Sequence, residues 1–436
     1  MKEMKAVCLE MHINMETILP SDLTLNILSR LPADSVLQCR QVLKTWKDLL
    51  RQPSYPRAHL LHQLSQINGN SFTSPSSHTT AGIPFGLLFF FSFTLERGNQ
   101  LYYGEYDNQT RNKIRKINQP LTVGKSVIGS CNGLICFSEN YPYHVLEPSY
   151  VSNPITGEYV TIPRIIKRGN LVDYSEFVVC GFGYHPSTDK YKIVKIHYTK
   201  TTHLGRVVYT IGSGSGWRET GTTTHSLRPK NECASRGSCM YLSPFGTLAN
   251  GALHWLNKEE KIVSFDLAKE NVYLLPSPPF VPAASDENCF QLQVLGGCLC
   301  FVHEKRGECL DIWFLRKTGE SNSFELNEQD DYELLTWIKE FSIPIEREAE
   351  PCALTNSGEL LMRHKGFLFC YNPKTAALEK LMDNYFCYVL QHVNSFVSLK
   401  ALGERRCSFR KRYDVNPAPK EIFIGNQQKD DGPTNA

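Results

Sequence analysis

One pattern recurs through this chain and restricts its fold more than any other feature. "SCNGLICF" (130–137) is followed by "SNPITGEYVTIP" (152–163), "LANGALHWL" (248–256) by "VSFDLAKENVYLLP" (263–276), and "LTNSGELLM" (354–362) by "FCYNPKTAALEKL" (369–381). "LGGCLCFV" (295–302) leads into "LDIWFL" and shares the first half of the pattern. Each unit reads as a Gly-containing turn, an apolar strand, a second strand, a turn of Asn-Pro or Asp-Leu type, and a further strand. Asn132-Gly133 and Asn250-Gly251 suit two-residue hairpins, whose central residues both need positive φ. Units of about 40–50 residues built from antiparallel strands predict propeller blades, each covering one face of the next, and the chain has room for about six or seven. A two-sheet sandwich with long insertions is the alternative.

The N-terminus is different in texture. In "LPSDLTLNILSRLP" (19–32) a helix of about three turns fits between the prolines. Pro20 with Ser21 marks its start and Pro32 forbids its continuation. Leu23, Ile27, Leu28 and Leu31 share its apolar face. "ADSVLQCR" follows, with Asp34 offered as a cap and Val36, Leu37 and Cys39 as apolar contacts. "VLKTWKDLL" then places Val42, Leu43, Trp46, Leu49 and Leu50 on one stripe, ending at Pro53. Three helical segments in roughly 40 residues cannot bury enough surface to be stable alone, so their apolar faces need the following domain or a partner.

The fold class is therefore mainly β with a small N-terminal α unit. The sequence divides into an extension (1–15), the helical unit (16–62), a Ser/Thr/Gly/Pro-rich linker (63–82), the β domain (83–402), and a basic segment with a polar tail (403–436). Hydrophobic residues at 41% and charged residues at 21% suit a sizeable core, and a net charge of +3 makes no global demand for nucleic acid. The 15 cysteines are odd in number and scattered through apolar runs, without paired Cys-x-x-Cys knuckles, which reads as reduced, buried thiols in an intracellular protein. The single sequon at Asn108 means little without a secretory route. "MKEMKAVCLEMHINM" lacks the apolar core of a signal peptide, and "IPFGLLFFFSF" (83–93) is about half a membrane span, so it reads as a buried strand.

Residues 19–60 resemble an F-box, the helical motif that docks on Skp-type adaptors in SCF ubiquitin ligases. The resemblance rests on Leu19-Pro20, the Ile27-Leu28-x-x-Leu31-Pro32 run, the Val42-x-Lys44-x-Trp46 pattern, Pro53-Ser54-Tyr55 and the His59-Leu60 end. Cys39 stands where an aromatic is common, and Leu43 replaces the usual Ser. "GSCNGLICF", "VCGFGYHPSTDKYKIVKI", "LANGALHW" and "IVSFDLAKENVYLLP" resemble the F-box-associated domain of plant F-box proteins, related in style to kelch propellers. The resemblance implies adaptor contacts at Leu19, Pro20, Leu23, Ile27, Leu28, Leu31, Pro32, Val36, Leu37, Val42 and Trp46.

No motif for catalysis emerges. "IGSGSGWRETG" (211–221) lacks the Gly-Lys-Ser/Thr of a phosphate loop and reads as a hairpin. His185 in "GYHPSTDKY" belongs to a turn, and His254 in "ALHWL" reads as a packed structural histidine. There is no nucleophile elbow, His-Glu-x-x-His helix or zinc spacing, so no cofactor or metal is expected. "ERRCSFRKRY" gathers Arg405, Arg406, Arg410, Lys411 and Arg412, which read as a solvated basic strand or tail edge, with a nuclear-import signal or a nucleic-acid contact as the alternatives. The acidic run 325–333 reads as a solvated insertion between strands, with a surface complementing a basic partner as the alternative.

The resemblance implies a non-catalytic, cytoplasmic or nuclear protein: a substrate-recognition subunit of an SCF-type ligase. It would bind a Skp-type adaptor, through it a cullin, and a protein target through the β domain, without membrane or nucleic-acid partners. A non-ligase F-box scaffold and a kelch-like propeller enzyme are the alternatives.

Overall fold

A computed structural model describes residues 20–68, 85–92, 99–106, 115–117, 125–140, 146–164, 177–198, 203–223, 225, 227, 245–257, 259–279, 288–305, 307–317, 335–346, 348–382, 385–386 and 388–409. Four helices open it: α1 (Ser21–Ser29), α2 (Ala33–Val42), α3 (Lys44–Leu49) and α4 (Tyr55–Asn68). The sequence predicts three. Pro20 and Pro32 occupy the positions just before α1 and α2, with φ −55° and −54°. Asp34 therefore lies in the first turn of α2 and not at its cap, where its charge still complements the helix dipole. The expected continuous stripe from Val42 to Leu50 is broken, because Leu43 is extended (φ −128°, ψ 140°) and starts a separate short helix. α4 runs six residues past the expected boundary at 62, to Asn68.

Among the described residues twenty-five strands follow, arranged as six antiparallel sheets. Blade 1 holds β1 (Phe85–Ser92), β2 (Asn99–Tyr106) and β3 (Arg115–Lys116). Blade 2 holds β4 (Lys125–Cys131), β5 (Leu134–Asn140), β6 (Leu146–Ser152) and β7 (Glu158–Thr161). Blade 3 comprises β8 (Phe177–His185), β9 (Lys190–Tyr198), β10 (His203–Thr210) and β11 (Trp217–Thr222). Blade 4 comprises β12 (Thr247–Ala249), β13 (Ala252–Leu256), β14 (Ile262–Asp266) and β15 (Val272–Leu275). Blade 5 is β16 (Asn288–Leu295), β17 (Cys298–Lys305), β18 (Cys309–Lys317) and β19 (Leu335–Ile343). Blade 6 is β20 (Ala349–Leu354), β21 (Leu360–His364), β22 (Phe367–Asn372) and β23 (Ala377–Lys380). β24 (Tyr388–His392) returns to pair with β1, aligning His392 with Gly86, and supplies the innermost strand of blade 1. The innermost strands β4, β8, β12, β16, β20 and β24 each pack on the next and close a ring. The fold is a six-bladed β-propeller behind a helical unit.

The turns follow from local chemistry. Asn132-Gly133, Asn250-Gly251 and Gly296-Gly297 all have positive φ at both positions and join the first two strands of blades 2, 4 and 5. A second device joins the outer two strands of blades 2, 4 and 6. Asn153, Asp266 and Asn372 each accept backbone N–H bonds on Oδ1 from residues two or three further on, at 2.7–3.3 Å. Four positions after each acceptor the chain turns left-handed, at Gly157, Glu270 and Ala376. Only the first is glycine. An L-residue in that conformation costs roughly 1–2 kcal/mol, offset in part by the larger unfolded-state entropy of glycine. Ala376 is exposed, so Ala376→Gly is expected to raise stability by about 0.5–1 kcal/mol, read as a higher urea midpoint at unchanged slope.

Core clusters lie between blades, as alternating strand faces require. Ile193 and Tyr191 of β9 pack toward blade 2, while Val194 and Ile196 pack toward blade 4. The outer edges are latched by a repeated bond: Trp217 Nε1 donates to the Pro163 carbonyl (2.6 Å) and Trp337 Nε1 to that of Pro276 (2.7 Å). Each ties the fourth strand of one blade to the end of the preceding blade's fourth strand.

Candidate functional site

α1 divides its apolar side chains between two duties. Leu28 is 2% exposed and joins Ala33, Val36, Leu50 and Tyr55 in one cluster, with Leu25, Leu31, Leu37 and Trp46 packed at its edge. Leu23 and Ile27, one turn apart on the same helix, are 54% and 49% exposed, and Val42 at the end of α2 is 59% exposed. Pro20 is exposed and Pro32 half-buried, while Leu19 lies outside the described residues. Of the residues singled out in the sequence, Leu28 and Val36 thus fill this chain's own core, and Leu23, Ile27 and Val42 are left to solvent. These three side chains leave apolar surface exposed on the helical unit.

The fourth helix, which the sequence does not predict, shapes that surface from behind. Tyr55 donates its hydroxyl to the Leu28 carbonyl (3.1 Å), and His59 Nε2 and Gln63 Nε2 donate to the Leu31 carbonyl (3.0 and 3.3 Å). These bonds tie α4 to the carbonyls of the last turn of α1 and of the link to α2. The signal was present as the spacing Tyr55, His59, Gln63. It was hidden because two of those three residues are polar and break the apolar periodicity.

The cluster also contains Ile155, from the β6–β7 turn, and Phe396, which follows β24. Arg57 pairs with Asp189, in the β8–β9 turn, at 3.8 Å. All three contacts fall on one face of the ring. In a four-stranded meander the first and third connections emerge together, so the helices sit on the face carrying those turns, and the second and interblade connections form the opposite face. There, Tyr385 is 61% exposed and meets Phe367 edge-on at 6.1 Å, while Lys380 Nζ lies 3.9 Å over the Phe367 ring. Gly366 turns the chain at positive φ beneath the Tyr385 ring, where a Cβ would collide.

Two ion-pair networks join neighbouring blades. Glu350 accepts from Arg363 at 2.9 and 3.0 Å and from Gln293 at 3.2 Å, joining blades 5 and 6. Glu270 pairs with Lys192 (2.8 Å) and Arg218 (2.6 Å), joining blades 3 and 4. Residues 211–216 connect β10 to β11 as the expected hairpin, and His185 Nδ1 accepts from the Ser187 amide within its turn. His254 is buried between Ser264 Oγ (2.7 Å) and the Ala249 carbonyl (3.2 Å), as its alternation on the strand predicts. Cys131, Cys136, Cys300 and Cys352 are buried thiols, and burial pushes Cys131 up to about 12. No cluster of three metal-capable side chains occurs among the described residues, and none of their helices is long and apolar enough to cross a membrane. Arg405 and Arg406 are exposed; Arg410, Lys411 and Arg412 lie outside the described residues.

Four buried histidines are expected to make the fold acid-sensitive. Burial holds His59, His254, His303 and His392 at about 4 instead of 6.5. Below pH 6.5 the unfolded chain therefore binds more protons than the folded one, and stability falls as pH drops toward about 4. Each histidine contributes a slope of up to about 1.4 kcal/mol per pH unit in that window. Urea midpoints are expected to fall steadily from pH 7 to pH 5, and a flat profile would contradict neutral burial of these rings.

Comparison with known proteins agrees with this architecture. Residues 86–382 match the F-box associated beta propeller domain, and residues 17–57 match the F-box-like family. Similar proteins in Arabidopsis thaliana include the F-box protein At3g07870, 25% identical with 84% of this chain and 87% of that protein covered. The F-box/kelch-repeat protein At3g23880 is 23% identical, with coverage of 81% and 87%, and F-box protein CPR1 is 24% identical, with coverage of 74% and 73%. The helical unit with its exposed apolar turns and the six-bladed ring behind it thus place this chain in the family of plant F-box proteins that carry an F-box associated β-propeller domain.

Proposed function

We propose that this chain is the target-holding subunit of an SCF-type ubiquitin ligase, docking a Skp-type adaptor through Leu23, Ile27 and Val42 and thereby joining a cullin scaffold. The observation that carries the reading is the division of labour on α1, where Leu28 secures the helix to its own core and Leu23 and Ile27 face solvent. The propeller binds a protein target for ubiquitination and degradation. Its face away from the helices, with Tyr385 and Phe367, is the assigned contact region. The role is non-catalytic. Holding target and scaffold together raises the local concentration of the target lysines, while bond-making residues belong to other subunits. The protein works in the cytoplasm, the nucleus or both, with Arg405, Arg406 and the basic residues to Lys411 and Arg412 as the candidate import signal.

The test is co-purification of the full chain with a Skp-type adaptor and a cullin, followed by ubiquitination of proteins captured by the propeller. Recovery of all three with a modified target supports the reading. Adaptor binding without cullin or modified target would mark a scaffold outside the ligase, and absence of adaptor binding would overturn the docking role.

A further inference from the structure

The helical unit does not complete its own core. Phe396, 6% exposed, sits among its side chains: its ring is 5.8 Å from that of Tyr55, 5.0 Å and edge-on to His59, and 5.6 Å beneath the Arg40 guanidinium. Phe396 belongs to a strap, residues 393–409, that leaves the ring-closing strand β24 and crosses blades 2 and 3 on the helix-bearing face. The propeller match ends before it, at residue 382.

The strap is bonded along its length. Asn153 Nδ2 donates to the carbonyls of Ser395 (3.1 Å) and Val397 (2.7 Å), and Ser395 Oγ donates to the Asn132 carbonyl (2.6 Å). Ser398 Oγ donates to Glu158 (2.8 Å), and Glu404 accepts from the Tyr209 hydroxyl (3.2 Å) and the Gly212 amide (2.8 Å). Ser408 and Phe409 then form β25, paired with β7 as the outer edge of blade 2. Gly133 and Gly212 both have positive φ, and a Cβ at either would collide with the strap, at Ser395 and Leu402 respectively. This surface is built to receive it.

We infer that the strap makes adaptor docking conditional on a closed propeller. The helices are synthesised first, yet the residue that completes their core is placed only after β24 has paired with β1, near the end of the chain. A chain whose ring is open then presents Leu23 and Ile27 on helices that are not ordered, and is not recruited. The functional consequence rests on the adaptor-docking reading above; the coupling itself does not.

Hydrogen exchange on the full chain separates the two. Phe396→Ala is expected to lower amide protection in α1 through α4 by at least about 100-fold, as loss of a buried aromatic implies, while β8, β9, β13 and β17 keep theirs. Ser395→Ala, which removes the strap's bond to the Asn132 carbonyl and leaves the Ile155 turn intact, is expected to loosen the same helices through the strap. Adaptor affinity should fall at least tenfold in both variants. Wild-type protection of the helices in Phe396→Ala overturns the inference. Where blades and helices fall together, Phe396→Leu, with a smaller cavity, decides: the helices must loosen first, and joint loss again overturns it. If the parent chain fails to bind adaptor, the ligase reading is lost and the exchange result still judges the coupling.

Discussion

A chain carrying Ile27→Asp is expected to fold as the parent does and to lose at least about 100-fold in affinity for a Skp-type adaptor. Ile27 is 49% exposed, so a carboxylate there stays hydrated in the free protein, and exposed substitutions of this kind usually change stability by less than about 0.5 kcal/mol. In the complex the same carboxylate would be stripped of water in an apolar contact without a partner, at a cost of several kcal/mol by order of magnitude. Leu23→Asp should behave alike. Leu28→Asp should not: at 2% exposure it buries a charge beside Val36 and Tyr55 and is expected to unfold the helices outright. Adaptor binding by pull-down and calorimetry, beside far-ultraviolet circular dichroism of each variant, reads both effects. Retained affinity in Ile27→Asp would remove this face from the interface.

The second large effect lies inside the ring. Arg363→Met is expected to destabilise the propeller by about 3–5 kcal/mol at pH 7, the range found when one partner of a buried ion pair is removed. Glu350 has 9% side-chain exposure, and burial already raises its carboxyl above the usual range, with Arg363 and Gln293 pulling the other way. Without the guanidinium its affinity for a proton rises further. A carboxyl whose folded pKa lies above the unfolded one favours the folded state when protonated, so the deficit of the variant is greatest at neutral pH and shrinks on acidification. The buried histidines act in the opposite direction, but equally in both chains, so the difference between parent and variant isolates Glu350. Urea titrations of the pair at pH 7, 6 and 5 check this. A pH-independent difference would show that lost packing, and not the stranded carboxylate, is responsible.

Much of this architecture is legible locally. Asn132-Gly133 and Asn250-Gly251 suit positive φ at both positions, so two hairpins announce themselves, and Asn153, Asp266 and Asn372 bend the outer hairpins through bonds to residues within three positions. Pro20 and Pro32 bracket α1 because a proline ring restricts the backbone beside it. α4 is less legible in the sequence for an equally physical reason. Its buried face carries His59 and Gln63, used to satisfy the carbonyl of Leu31, and apolar periodicity does not register polar side chains that are buried because they are bonded.

The sequence alone determined the class of the fold, the repeat that builds the blades, and the apolar run on α1, because turn chemistry and strand or helix period act over a few residues. The tertiary structure decided the number of blades, since that depends on β24 pairing with β1 across the whole chain. It also decided which leucines face solvent. Leu28 and Ile27 are neighbours of the same chemical kind, and only the arrival of Tyr55, Ile155 and Phe396 behind α1 buries one and leaves the other exposed. Such contacts join residues far apart in the chain, where no local period records them.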